Sequence, residues 1–205
     1  MIVIVDYGMG NLRSVQKKFQ KIGANVEITN DPKKIIKAEK IVLPGVGNFY
    51  QGMLNIKHLG LYDVLNESVL KKKTPILGIC LGMQLMAKNS SEGSEINGFG
   101  WIDAEVVRFN VQNNLKFKVP HIGWNNIFIA KESNLLSNLN NESEYYFVHS
   151  FFMQCRNSKD ILAKTIYEND FVSAIQKDNI YGTQFHPEKS HDNGQKLISN
   201  FVNLI

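Results

Sequence analysis

Two cysteines occur among 205 residues, and one of them, Cys80, stands in Gly78-Ile79-Cys80-Leu81-Gly82, directly after an apolar run. A cysteine that only fills a core needs no glycine on either side. A nucleophile on a tight strand-to-helix turn does, because glycines permit close backbone approach and unusual dihedrals. At the start of a helix, free N–H groups and the dipole also favour the thiolate. A thiolate nucleophile needs a base, and of the five histidines His186, in "TQFHPEKS", is best placed. Pro187 biases His186 toward an extended conformation. In an extended chain positions i and i+2 share a face, which predicts Glu188 beside His186. A carboxylate there fixes the imidazole tautomer and stabilises the imidazolium, while the other ring nitrogen faces the sulfur. Cys80, His186 and Glu188 thus form a candidate triad for acyl transfer to cysteine. Cys155, in "FMQCRN", lacks this context and reads as an inert thiol.

Acyl transfer also needs donors for an oxyanion. The stretch "LPGVGNF" at 43–49 offers a glycine-rich loop after an apolar strand. The backbone N–H of Val46 or Gly47 is expected to act with that of Leu81. The loop is equally readable as a tight strand-to-helix turn, and one loop can do both.

The elements that must position these groups follow from periodicity. "IVIVDYG" reads as a strand and "NLRSVQKKFQKIG" as a helix, with Leu12, Val15, Phe19 and Ile22 at helical spacing and Gly23 at the C-terminus. "NVEIT" is a second strand, and "DPKKIIKA" a helix capped by Asp31 with Pro32 at its first position. "KIVLPGVG" is a third strand, "LYDVLNESVLKKK" a helix, "PILGI" a fourth strand and "MQLMAK" the helix after the elbow. Short apolar strands alternating with helices predict a largely parallel sheet covered on both faces, with sites at the strand C-termini. From about residue 100, "AEVVRF", "KFKV", "NNIFIA", "YYFVHSF", "ILAKTIY", "VSAIQ" and "IYGTQF" read as shorter, partly antiparallel strands, and "NGQKLISNFVNLI" as a closing amphipathic helix. No linker or repeat interrupts the chain. The expectation is one α/β domain over 1–205, an open, mixed but largely parallel sheet flanked by helices, with a small β-rich addition.

Composition narrows the function. The net charge is +4 with lysines scattered over helix faces, not gathered in a stripe with aromatic platforms, so nucleic acid is not the expected partner. No apolar run approaches the roughly 20 residues of a membrane span. The N-terminal stretch lacks a basic region and cleavage site, so no signal peptide and a cytoplasmic location are expected. "GMGNLRS" is not a dinucleotide loop, because Arg13 stands where the third glycine belongs. His58, His121, His149, His186 and His191 show no metal-ligand spacing, so neither metal nor cofactor is expected.

Taken together, "PGVG", "GICLGMQ" and "FHPEKS", in that order, resemble the class I, triad-type glutamine amidotransferases with a flavodoxin-like fold. The resemblance covers essentially the whole chain. It narrows to the glutaminase subunit of imidazole glycerol phosphate synthase through "DYGMGNLRSV" at 6–15, "PHIGWN" at 120–125, "YFVHSF" at 146–151 and "QFHPEKS" at 184–190. It implies glutamine hydrolysis by the triad. Gln84 and Glu92 match positions that hold the α-carboxylate and α-amino end of L-glutamine, and His149 and Ser150 match the segment along the substrate. The implied partner is a (β/α)8-barrel cyclase that uses the ammonia to make imidazole glycerol phosphate and aminoimidazole carboxamide ribotide in histidine biosynthesis. Asn11, Arg13, Trp124 and Lys189 belong to segments the resemblance turns toward that partner; a core position is the other reading for Trp124. His191 and Asp192 depart from the family pattern, as does "MAKNSSEGS" after the elbow.

Rival readings keep the same residues. A paralogous glutaminase could serve a barrel partner in sugar amidination for surface glycans. Vitamin B6 synthesis is disfavoured by "DYGMGNLRSV" and "PHIGWN", a cysteine peptidase by Gln84. A non-catalytic module on the same fold has no need of the intact triad.

Overall fold

The structure is a computed structural model that describes residues 1–93, 96–113 and 115–205. Along the first half it forms β1 (Ile2–Val5), α1 (Leu12–Lys21), β2 (Val26–Thr29), α2 (Pro32–Ile35), β3 (Lys40–Gly45), α3 (Phe49–His58), α4 (Leu61–Asn66), β4 (Ile76–Cys80) and α5 (Leu81–Gln84). The second half adds β5 (Asn89–Ser90), β6 (Ala104–Arg108), β7 (His121–Asn126), β8 (Phe128–Ile129), β9 (Glu144–His149), β10 (Phe151–Cys155), β11 (Ile161–Tyr167), β12 (Asn169–Lys177), β13 (Ile180–Thr183) and α6 (His191–Asn203). The main sheet has eight strands in the order β2-β1-β3-β4-β13-β12-β11-β8, parallel from β2 through β13 and antiparallel beyond. Two small sheets, β10-β6-β5 and β7-β9, complete the β-rich part.

Strand alternation splits the core into two layers. Val3 and Val5 of β1 join Leu43, Ile76 and the apolar faces of α3 and α4 on one side. Ile2 and Ile4 join Val42, Leu77, Ile79, and the apolar faces of α1 and α6 on the other. Asp31 caps α2 by accepting from the Lys33 N–H, with Pro32 at the first helical position, and Gly23 takes φ +80 after α1.

Register is what assembles the site. Gly45 of β3 lies opposite Cys80 of β4, and Thr183 of β13 lies opposite Ile79. Three adjacent parallel strands therefore end at one edge of the sheet, and the segments leaving them carry "VG", the cysteine and His186.

The structure departs from the sequence reading at several elements, among them β7, which was not read as a strand, and "YYFVHSF", which divides into β9 and β10. α3 was not anticipated: Gly52 and Asn55 dilute its apolar pattern, yet Phe49, Met53 and Ile56 are buried and Asn48 caps it by accepting from the Gln51 N–H. The helix from Leu61 ends at Asn66 and continues to Lys71 as a π turn. "KFKV" is no strand, because Lys116 and Phe117 turn back to bond the Asn113 carbonyl. The helix after the elbow stops at Gln84 instead of running through "MQLMAK". Met86 and Ala87 tighten to bonds with the residues three back, and Lys88 donates to the Ala104 carbonyl, joining the small sheet. Among the described residues no helix is long and apolar enough to cross a membrane.

Candidate active site

Cys80 has φ 54 and ψ −109, outside the regions that side-chain-bearing residues prefer. Such strain persists only when the surroundings over-determine it, and it clusters at functional sites. The flanking glycines are not the residues in the unusual conformation, contrary to part of the sequence argument. Their role is space. A Cβ on Gly82 would lie 1.7 Å from the Leu43 carbonyl oxygen, and one on Gly78 would lie 2.7 Å from the Met83 nitrogen. Strand β3 packs directly on Gly82 and the turn on Gly78, so a side chain at either position would push the elbow open.

His186 is extended, but Pro187–Lys189 forms a single 3-10 turn. Glu188 therefore reaches the imidazole because the chain folds back, not through strand alternation. The contact is as expected: Nδ1 lies 2.8 Å from Glu188 Oε1, with both side chains buried. Ser190 holds the turn, donating to the His186 carbonyl and accepting from the Tyr146 N–H. His186 Nε2 is buried without a hydrogen-bond partner, although Cys80 is close enough to perturb it. Burial alone would push the imidazole down; Cys80 and Glu188 outweigh it and raise it to about 10.

This shift has a sign in stability. A histidine that holds its proton more tightly when folded contributes fully below its unfolded value, about 6.5, and loses that contribution as pH rises through the raised folded value. Urea unfolding of the wild type and Glu188→Gln is expected to differ most near pH 6, with the gap narrowing toward about pH 10. A pH-independent gap would contradict an imidazolium–carboxylate pair.

Cys80 opens on a cavity of about 480 Å³ lined also by Val46, Gly47, Leu81, Gln84, Glu92, Pro120, Val148, His149, Ser150, Phe151 and Lys189. Every sequence-selected oxyanion and substrate residue is on that wall. A depression of about 460 Å³ around Glu132 and Leu136 contains neither cysteine nor histidine. Gln84 donates from Nε2 to the Phe151 carbonyl at 2.8 Å and to Gln184 Oε1 at 3.0 Å, so its side-chain carbonyl is the group left for a ligand. Glu92 accepts from the Phe49 N–H at 2.8 Å, tying the cavity wall to the start of α3. His149 is buried, with Nδ1 bonded to the Phe151 carbonyl and Nε2 unpartnered. Burial holds it down at about 3 despite that bond, so it is neutral at pH 7. Of these two buried histidines only His186 is poised to exchange a proton with Cys80.

The four surface residues divide. Trp124 is 43% exposed, so it is not a core aromatic. It stacks on His191 at 4.8 Å, with Lys189 Nζ 5.5 Å from the ring centre of the neighbouring Tyr146. Asn11 and Arg13 are exposed at the start of α1, where Asn11 caps the helix; they do not line the cavity. Gln184 was missed. Its Nε2 lies 3.6 Å from Cys80 Sγ, and it sits in the bend after β13, where no local pattern marked it. Burial pushes Cys155 up to about 12. Among the described residues no cluster of His, Cys, Asp or Glu is placed to hold a metal.

The fold resembles that of solved structures, including a glutamine amidotransferase (TM-score 0.75, 16% identity, 100% of this chain and 98% of that one) and PurLQS from Thermotoga maritima (TM-score 0.73, 15% identity, 99% and 97%). In sequence the chain is 54% identical to the imidazole glycerol phosphate synthase subunit HisH 2 of Methanococcus maripaludis, covering 98% of each. It is 49% identical to HisH 1 of Campylobacter jejuni and 44% identical to HisH 2 of Pseudomonas aeruginosa, covering 100% of both chains in each case. The family model for class-I glutamine amidotransferases matches residues 3–204. The chain belongs to the class-I glutamine amidotransferase family.

Proposed function

We propose that this chain is the glutaminase subunit of an imidazole glycerol phosphate synthase, working in the cytoplasm as a single domain over 1–205. The observation that carries the reading is Cys80, bent into a strained conformation on the wall of a cavity, with His186, paired to Glu188, close enough to be perturbed by it. Cys80 attacks the side-chain amide carbon of glutamine, and a C–S bond forms. The oxyanion is met by N–H groups of Val46 or Gly47 and of Leu81. His186 gives its proton to the departing nitrogen as the C–N bond breaks, releasing ammonia. Water then attacks the thioester, His186 takes its proton, and glutamate leaves. Glu92 and the Gln84 carbonyl suit the α-ammonium of the substrate, and Ser150 and His149 lie along its path.

The ammonia passes to a (β/α)8-barrel cyclase docked over Asn11, Arg13, Trp124 and Lys189, for histidine biosynthesis. The second reading replaces that cyclase by a barrel paralogue of sugar amidination. The numbered names of the relatives, HisH 1 and HisH 2, keep it open, since an organism with two copies can assign them to different partners. Neither metal nor cofactor enters the mechanism.

Free glutaminase would waste glutamine, so turnover should depend on the partner. Glutamate release is expected to rise about 10²–10³-fold when the cyclase and its ligand are added, the effect of completing one oxyanion donor. Trp124→Ala should weaken the complex about tenfold or more without unfolding the subunit. If the isolated chain is as fast as the complex, the coupling is wrong; if only another barrel activates it, the second reading holds.

A further inference from the structure

The segment Tyr7–Gly10 lies against the oxyanion loop at several points. The hydroxyl of Tyr7 would be 2.0 Å from a Cβ on Gly45, and the Met9 methyl 2.8 Å from one on Gly47. Gly10, at φ +103, leaves only 3.2 Å between its own would-be Cβ and the Gly45 Cα. Asn55 of α3 clamps the segment from behind, donating to the Tyr7 carbonyl at 3.0 Å while accepting from Gln51. The Tyr7 side chain is fully buried and its hydroxyl has no hydrogen-bond partner. A fully buried donor without an acceptor is unusual and calls for a reason.

Tyr7 packs in the core on one face of the sheet, and Cys80 in the core on the other, with Gly45 beside Cys80 in register between them. The N–H and C=O of one peptide unit point in opposite directions. Turning an N–H of the loop toward Cys80 therefore turns the paired carbonyl away from it, toward the face that holds the phenol. The charge of Cys80 also reaches Tyr7, adding to the burial that already keeps its proton on.

We propose that Tyr7 is a positioning residue: its buried hydroxyl donates to a carbonyl of the Gly45–Gly47 segment when an N–H of that segment faces the oxyanion forming at Cys80. The proposal rests on the glutaminase reading. It gives the hydroxyl no partner in the resting loop and one in the working loop, so its hydrogen bond favours the catalytic orientation.

Tyr7→Phe removes one oxygen and keeps the ring. With the full chain saturated by its cyclase, Tyr7→Phe is expected to lower kcat for glutamine about tenfold or more, with KM within about twofold. Alkylation of Cys80 by iodoacetamide, which forms no oxyanion, should proceed at the wild-type rate, and the melting temperature should not fall. An unchanged kcat overturns the proposal. So does a parallel loss of alkylation, which would place the effect on the thiol, or loss of soluble protein, which would make the hydroxyl structural. If the wild-type complex itself releases no glutamate, the glutaminase reading falls, and this proposal with it; wild-type activity matched by Tyr7→Phe removes only the role of Tyr7.

Discussion

His186→Ala is expected to lower kcat for glutamine hydrolysis by about 10⁴-fold or more in the assembled complex, with Cys80→Ala at least as severe. Both follow from one geometric fact. The imidazole is held on Nδ1 by Glu188 at 2.8 Å, leaving the buried Nε2 beside Cys80 to pass a proton to the leaving nitrogen. His149, also buried near the cysteine, cannot substitute, because burial keeps it neutral at about 3. Glu188→Gln should cost less than His186→Ala, since it retains a group able to orient the ring and removes only the charge. Steady-state glutamate release, with circular dichroism to confirm that each variant is folded, separates these expectations. Equal losses for His149→Ala and His186→Ala would contradict the assignment of the base.

Gly82→Ala is expected to destabilise the protein by more than about 3 kcal/mol, or to leave no soluble product. The added methyl would meet the Leu43 carbonyl oxygen at 1.7 Å, and that oxygen belongs to a central strand that cannot move without disturbing its neighbours. Any relief must come from the elbow, which would carry Cys80 away from His186. Gly23→Ala is the comparison: nothing lies within 4 Å of its would-be Cβ, and its cost is confined to the positive φ. Chemical denaturation of the two variants checks this, and a Gly82→Ala protein as stable as Gly23→Ala would mean that the elbow is looser than described.

Much of this was legible in the sequence because the informative residues are local. "GIC" followed by "LG" announces an elbow, and Asp31-Pro32 and Gly23 mark their helix ends by side-chain and backbone preference alone. What escaped depends on tertiary partners. α3 is amphipathic only through Phe49, Met53 and Ile56, and what fixes it is burial against the sheet. α5 stays short as the carbonyls of Leu85, Met86 and Ala87 accept from the N–H groups of Phe99, Ile102 and Gly100, partners no local pattern reveals. Glu188 was placed beside His186 for an incomplete reason: the pairing comes from a 3-10 turn held by Ser190. The strain was expected in glycines and resides in Cys80 itself. Tyr7 offered no signal, since a tyrosine after a strand reads as ordinary packing until its hydroxyl is found buried against Gly45.

The central claim is that Cys80 is the atom acylated by glutamine. A diazo-ketone analogue of glutamine, incubated with the complex and followed by peptide mass spectrometry, tests it most directly. The half-buried Cys155, whose thiol is pushed up to about 12, is the internal control. The account predicts one covalent adduct per chain, on Cys80, with loss of glutaminase activity in step with labelling and protection by glutamine. An adduct on Cys155 alone, or full glutaminase activity after Cys80 is quantitatively modified, would contradict it.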